Sequence, residues 1–189
     1  MQQLSLLEGV NQVLLKNGVL LAADLVAPMT ETQLMARLQL ESKTQEILAK
    51  QWAFNKVTQI ELTPDINGEI HLPENWQLTS PYSPGDQGSL RFIEGRLYND
   101  RENTNVFTQP VSFNARLTQT FANMPYGHQY YAVVMAAIAL NLVTKANPAI
   151  AQMLTAELPD ARQAAMAADQ LLSGSSFFSG HNNRRHPHI

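Results

Sequence analysis

Three groups of side chains in this chain of 189 residues have types and spacings that could do chemistry. Asp65, Glu69 and Glu74 lie close in sequence, and paired carboxylates can hydrolyse a glycosidic bond. That makes a carbohydrate or cell-wall hydrolase the alternative reading for the chain. His181, His186 and His188, with Asn182 and Asn183, form a histidine-bearing C-terminal tail, and Arg184 and Arg185 within it could meet phosphate. Each group meets an objection. Asp65 opens a turn for its own conformational reason, and Glu69 then stands opposite it as a solvated strand end. The histidine spacing matches no helical or zinc-finger ligand set, and the tail has no carboxylate to join it. The run from Asp65 to Glu69 is not a calcium loop, because its glycine comes too early. Two arginines are too few to hold a phosphate backbone at physiological salt. The expectation is no catalytic residue, no metal and no cofactor. Arg184 and Arg185 read instead, with Phe177 and Phe178, as an arm that orders on a protein partner.

The stretch that would position the carboxylates runs from Trp52 to Arg101, and its register follows from one turn. A two-residue loop at Asn67-Gly68 would pair Asp65 with Ile70, mixing polar and apolar side chains on each face. A three-residue loop, Ile66-Asn67-Gly68, pairs Pro64 with Ile70 and Leu62 with Leu72, gathering four apolar residues on one side. It also gives Gly68 the left-handed position of a G1 bulge after a type I turn. Ile66 is then left at an exposed tip with Asn67, where an apolar side chain is better placed to touch a partner than water.

Composition bounds the function. Charged residues are 15% of the chain, below the roughly 25% usual for soluble domains, while 16 Gln and 14 Asn supply much of the polarity. Amides cost less to desolvate than ions, so such a surface suits burial against other subunits. A net charge of -3 and a pI near 5.9 argue against a dedicated nucleic-acid binder. The absence of cysteine rules out disulfides, thiolate metal sites and a cysteine nucleophile. The first residues, MQQLSLLEG, lack the basic start of a signal peptide, so secretory export is not expected. The most apolar run, Tyr130 to Val143, falls short of the ~20 residues that span a bilayer and reads as a buried helix, with no membrane insertion.

Along the chain, Ser5-x-x-Glu8 and Thr30-x-x-Gln33 are capping boxes opening two helices. The first ends at Asn17-Gly18. The second runs to about Gln51 with its apolar residues on two partial stripes, as for a helix with two neighbours. Short strands are predicted around Leu90–Ile93, Arg96–Tyr98 and Val111–Leu117, with a tight hairpin at Glu94-Gly95 and four or five strands in all, mostly antiparallel. Pro125 starts a third, alanine-rich helix, and Asn147-Pro148 caps a fourth, in which Pro159 predicts a kink or break near Leu158. The fold class is α+β. A bundle of about four helices (1–51 and 119–172) receives an inserted antiparallel β-rich module (52–118) and ends in an extended polar arm (173–189). Trp52, Phe54 and Trp76 are assigned to packing rather than to a ligand site.

Several of these residues, in this order, resemble the podovirus tail tubular protein A family. They are Trp52-Ala53-Phe54-Asn55, Leu62-Thr63-Pro64-Asp65, Gly68-Glu69-Ile70, Leu72-Pro73-Glu74-Asn75 and Arg96-Leu97-Tyr98-Asn99-Asp100-Arg101. Two helices precede them, and Met124-Pro125 with an alanine-rich helix follows. The likeness covers about residues 5 to 172. The chain departs from the family pattern at Gly18-Val-Leu-Leu and after Leu172. The resemblance implies a structural virion protein that forms a homo-oligomeric ring, a dodecamer, as head-to-tail adaptor between the portal protein and a nozzle resembling tail tubular protein B. Double-stranded DNA would pass through its bore without specific binding. The resemblance places it at the portal vertex of the tail, and in the host cytoplasm during assembly. The helical bundle and arm would face the portal, and the β-rich part the neighbouring subunits and nozzle. The partner-interface candidates are Ile66, Asn67, Phe177, Phe178, Arg184 and Arg185.

Overall fold

The computed structural model of the chain describes residues 3–26, 28–81, 89–144 and 147–173. Its α+β architecture has α1 (Leu6–Lys16), α2 (Glu31–Leu48), β1 (Lys56–Leu62), β2 (Trp76–Pro81), β3 (Leu90–Ile93), β4 (Arg96–Asn99), β5 (Val111–Leu117), α3 (Tyr126–Thr144) and α4 (Pro148–Ser173). These fall into two compact units. One holds the residues up to Phe54 and those from Thr120 on, and the other is Asn55–Gln119. The expected arm beyond Ser173, with Phe177, Phe178, Arg184, Arg185 and the three histidines, lies outside the described residues.

The helical unit is built around α3, against which α1, α2 and α4 all pack. Both capping boxes form. The Ser5 hydroxyl accepts from the Glu8 amide at 3.2 Å, and the Glu8 carboxylate accepts from the Ser5 amide at 2.7 Å. Thr30 and Gln33 exchange the equivalent pair. Side-chain amides then fasten the connections. Asn11 bonds both the amide and the carbonyl of Ala22. Gln33 donates to the carbonyls of Leu20 and Leu21, and buried Gln129 brackets Leu4 from α3. Part of the amide content read from composition as subunit surface is therefore internal clamping.

Of the kink or break expected near Leu158, a break does not occur, and α4 is one helix of 26 residues. Leu154, Ala161 and Ala165 hold its inner face in the core, whereas Pro159 stands on the exposed side. There the carbonyl one turn back that loses its donor can be met by water, and packing carries the helix through.

The second unit has a three-stranded sheet ordered β1-β5-β2 and a β3–β4 hairpin, with every pairing antiparallel. β5 is central, with Phe113 facing Ile60 on one side and Pro81 on the other. Ending edge strand β2 on Pro81 is tolerable, since an edge position can spare one ladder amide. Glu94 and Gly95 have φ of 51° and 79°, the type I′ turn that matches strand twist. Ile70, Leu97 and Phe113 form the buried core, flanked by Leu62, Leu90, Phe92, Phe107 and Val111.

One pairing differs from the expected register. The three-residue loop forms, but Leu62 pairs with Val111 of β5 and not with Leu72. The return arm bonds elsewhere, with the Leu97 amide donating to Ile70 and the Leu72 amide to Gly95. Burying Ile70 against Leu97 and Phe113 draws that arm to the hairpin, and β5 takes the edge of β1 that it vacates.

Candidate partner-binding surfaces

The tip carrying Ile66 and Asn67 is held by a dense set of local bonds. The Asp65 amide donates to the Glu69 carbonyl at 2.9 Å, and the Gly68 amide to the Asp65 carbonyl at 3.0 Å. Asp65 Oδ1 accepts from the amides of Asn67 (2.8 Å) and Glu69 (2.9 Å). The Glu69 amide is the main reason the Asp65 carboxyl titrates below its ordinary value. Gly68, at φ +80°, has no room for a Cβ, which would stand 2.7 Å from Val106. On this rigid loop Ile66 is fully exposed. An apolar side chain on an ordered backbone offers contact area with no backbone left to order.

The carboxylates considered for catalysis serve the same turn. Glu69 Oε1 accepts from Arg96 Nη1 at 3.0 Å and Asn105 Nδ2 at 2.9 Å. His71 Nε2 lies 3.6 Å from Asp65 Oδ2 and 3.5 Å from Glu69 Oε2. These three are the described residues whose ligand atoms converge enough to hold a cation, within 4.8 Å of one another. Glu74 stands outside the cluster. Because Arg96 already neutralises Glu69, and backbone amides occupy Asp65, the geometry ties the base of the turn and leaves neither carboxyl set as acid or nucleophile.

In the helical unit, His128 on α3 is a buried residue that sequence reasoning did not single out. Its ring lies edge-on to Trp52 at 4.6 Å and tilted against Phe54 at 4.5 Å, and neither nitrogen has a hydrogen-bond partner among the described residues. Trp52 and Phe54 are thereby placed in packing, with the Trp52 indole N–H donating to the Ile47 carbonyl. Burial pushes the His128 pKa down to about 4, against a smaller upward pull from Asp169. A histidine that is neutral when folded, and near 6.5 when unfolded, makes the unfolded state bind more protons between those values. Stability from this residue is therefore complete above about pH 6.5 and declines as pH falls toward 4, by about 2 kcal/mol at pH 5. Urea melts at pH 7.5 and 5 should show that loss in the native chain and a smaller one in His128→Phe. An equal loss in both would place the pH dependence elsewhere.

A half-buried polar group joins α1, α3 and α4. Lys16 Nζ and the Tyr130 hydroxyl both bond Glu157 Oε1, and the ammonium lies 5.7 Å from the Tyr130 ring centre. Desolvation raises the Glu157 carboxyl, but bonds from Lys16 and Tyr130 outweigh it and leave its pKa lowered, while burial pushes Tyr130 up to about 12. The set is a structural clamp.

The exposed aliphatic side chains form a pattern. α2 buries Gln33, Ala36, Leu40, Thr44 and Ile47 along one stripe, but Leu34 and Leu38, on its opposite side, stay about half exposed. The two neighbours implied by its sequence are α1 and α3, which both pack against α2. Leu20 and Leu21, whose carbonyls Gln33 holds, and Val26 are exposed beside it. Leu142, Val143 and Met153 are exposed where α3 turns into α4.

A family model described as "Tube: Tail tubular protein" matches residues 7–174. No curated protein matches the chain.

Proposed function

Because the chain belongs to the tail tubular protein family and so is a structural component of a viral tail, we propose that it is the ring-forming head-to-tail adaptor. In this reading twelve copies close into a ring between the portal protein and the tail nozzle at the portal vertex. They assemble in the host cytoplasm, and their bore lets double-stranded DNA out. The family match over nearly the whole chain carries the proposal. Ile66 and Asn67, on their rigid turn, are the β-side contact, and Phe177, Phe178, Arg184 and Arg185 the portal-side contact. The net charge of -3 suits a conduit, since a wall that does not hold phosphates lets DNA move. The carbohydrate-hydrolase alternative has no support in the way Asp65, Glu69 and Glu74 are placed.

Native mass measurement, on the purified chain alone and mixed with portal rings, tests the proposal. A closed homo-oligomer bound to the portal is the expected species. Removing residues 174–189 should abolish or greatly weaken portal attachment while leaving the helical circular dichroism intact. Portal rings that bind no copies of the intact chain would refute the adaptor assignment, and attachment unchanged by truncation would refute only the role of the arm.

A further inference from the structure

The run from Asp65 to Glu69 fails as a calcium loop, but His71, two residues further on, changes the chemistry of the donors. We propose that Asp65, Glu69 and His71 form a zinc-binding site at the base of the Ile66 turn. The fold builds it from both legs of that turn. Ile70 is buried against Leu97 and Phe113. With Ile70 turned inward, side-chain alternation sends Glu69 and His71 out together on the other face. The three-residue loop then brings Asp65 back beside them, its amide donating to the Glu69 carbonyl at 2.9 Å.

Distances within the group favour a shared ion over direct pairing. Asp65 Oδ2 and Glu69 Oε2 face His71 Nε2 at 3.6 and 3.5 Å, and the ligand atoms of all three lie within 4.8 Å of one another. A charge-assisted hydrogen bond would be shorter, about 2.7–2.9 Å. Zinc bonds of about 2.0–2.1 Å at tetrahedral angles place neighbouring ligand atoms about 3.3–3.4 Å apart, so an ion fits with little movement. The other oxygen of each carboxylate is anchored from outside the group. Glu69 Oε1 accepts from Arg96 and Asn105, and Asp65 Oδ1 from the amides of Asn67 and Glu69. Such outer bonds orient carboxylates that ligate metals.

The donor types select the ion. Calcium and magnesium take oxygen ligands, whereas imidazole beside carboxylates suits zinc. Two carboxylates with one guanidinium leave a net charge of -1 to attract a dication, so Arg96 moderates the affinity without abolishing it. His71 is half exposed, which gives the ion a path from solvent and leaves water the remaining coordination position. Bound there, zinc would tie the two legs of the turn that carries Ile66, and binding only the folded chain it would stabilise the β-rich unit. The assignment does not depend on the adaptor reading.

Calorimetric titration of the full chain with zinc chloride at pH 7.5 tests it, and the native chain should take up zinc at this site. His71→Gln and Asp65→Asn should each weaken that uptake at least tenfold. Glutamine replaces a half-exposed ring, and asparagine keeps the oxygen that accepts the turn amides, so zinc-free melting should match the native chain. A chain with His181, His186 and His188 all changed to glutamine should bind as the native chain does. A native chain that takes up no zinc, a His71→Gln or Asp65→Asn chain that keeps native affinity, or uptake that vanishes with the tail histidines overturns the inference.

Discussion

Phe113→Ala is expected to unfold the β-rich unit, Asn55–Gln119, while the helical unit stays folded. Phe113 is 1% exposed at the centre of β5 and meets the Phe92 ring at 5.8 Å. Truncating a buried phenylalanine costs about 3–5 kcal/mol, from lost transfer energy and the cavity left behind. A unit of this length holds only about 3–10 kcal/mol in total, and the buried cluster at its core, among the described residues, is Ile70, Leu97 and Phe113. Removing the largest of three members leaves little to orient two separate sheets. The helical unit has its own core along α3 and does not draw on Phe113. Amide NMR should show the dispersed signals of Asn55–Gln119 collapsing while helical circular dichroism persists. Retained dispersion, with a stability change below about 1 kcal/mol, would show that this core is not what holds the sheets.

The second large effect is expected at Gly127, where α3 passes α4. A Cβ built there would stand 2.5 Å from the Ala164 carbonyl oxygen, 2.9 Å from its carbon and 3.1 Å from the Ala168 methyl. The first two are backbone atoms and cannot rotate away, so the helices must separate. Helix propensity pushes the other way, since alanine is favoured over glycine by about 1 kcal/mol. Overpacking a tight core costs about 1–3 kcal/mol and sometimes more, and here it meets backbone, so sterics win. Gly127→Ala should lose stability despite its better propensity. Gly127→Val, which adds branched bulk, should lose about 3 kcal/mol. For a protein of this length that lowers the melting temperature by roughly 6–12 °C. A Gly127→Ala chain that melts at or above the native temperature would mean that α4 shifts freely on α3.

Local chemistry explains why much of the fold was legible beforehand. Ser5 with Glu8 and Thr30 with Gln33 start helices because each satisfies its neighbour's orphan amide within four residues of chain. Asn147 caps α4 in the same way, its side chain accepting from the Ala149 amide. Asp65 to Glu69 forms the three-residue loop because glycine alone takes φ near +80° without cost. The bounds of β3 and β5 likewise follow from period-two alternation between turn residues. Such signals act over a few residues, and no tertiary partner was needed to make them decisive.

The remaining features depend on neighbours distant in sequence. The pairing of β1 with β5, the unbroken course of α4 through Pro159 and the aromatic enclosure of His128 each compare energies across the chain. A propensity or a hydrogen-bonded turn worth ~1 kcal/mol yields there to the burial of an aromatic or aliphatic side chain worth several. α2 shows where the two levels meet. Its sequence determined that two apolar stripes exist, but only the packed helices decided that Leu40 and Ile47 face the core while Leu34 and Leu38 face outward. Periodicity sets which residues share a side of a helix, and only the neighbours in space decide which side is covered.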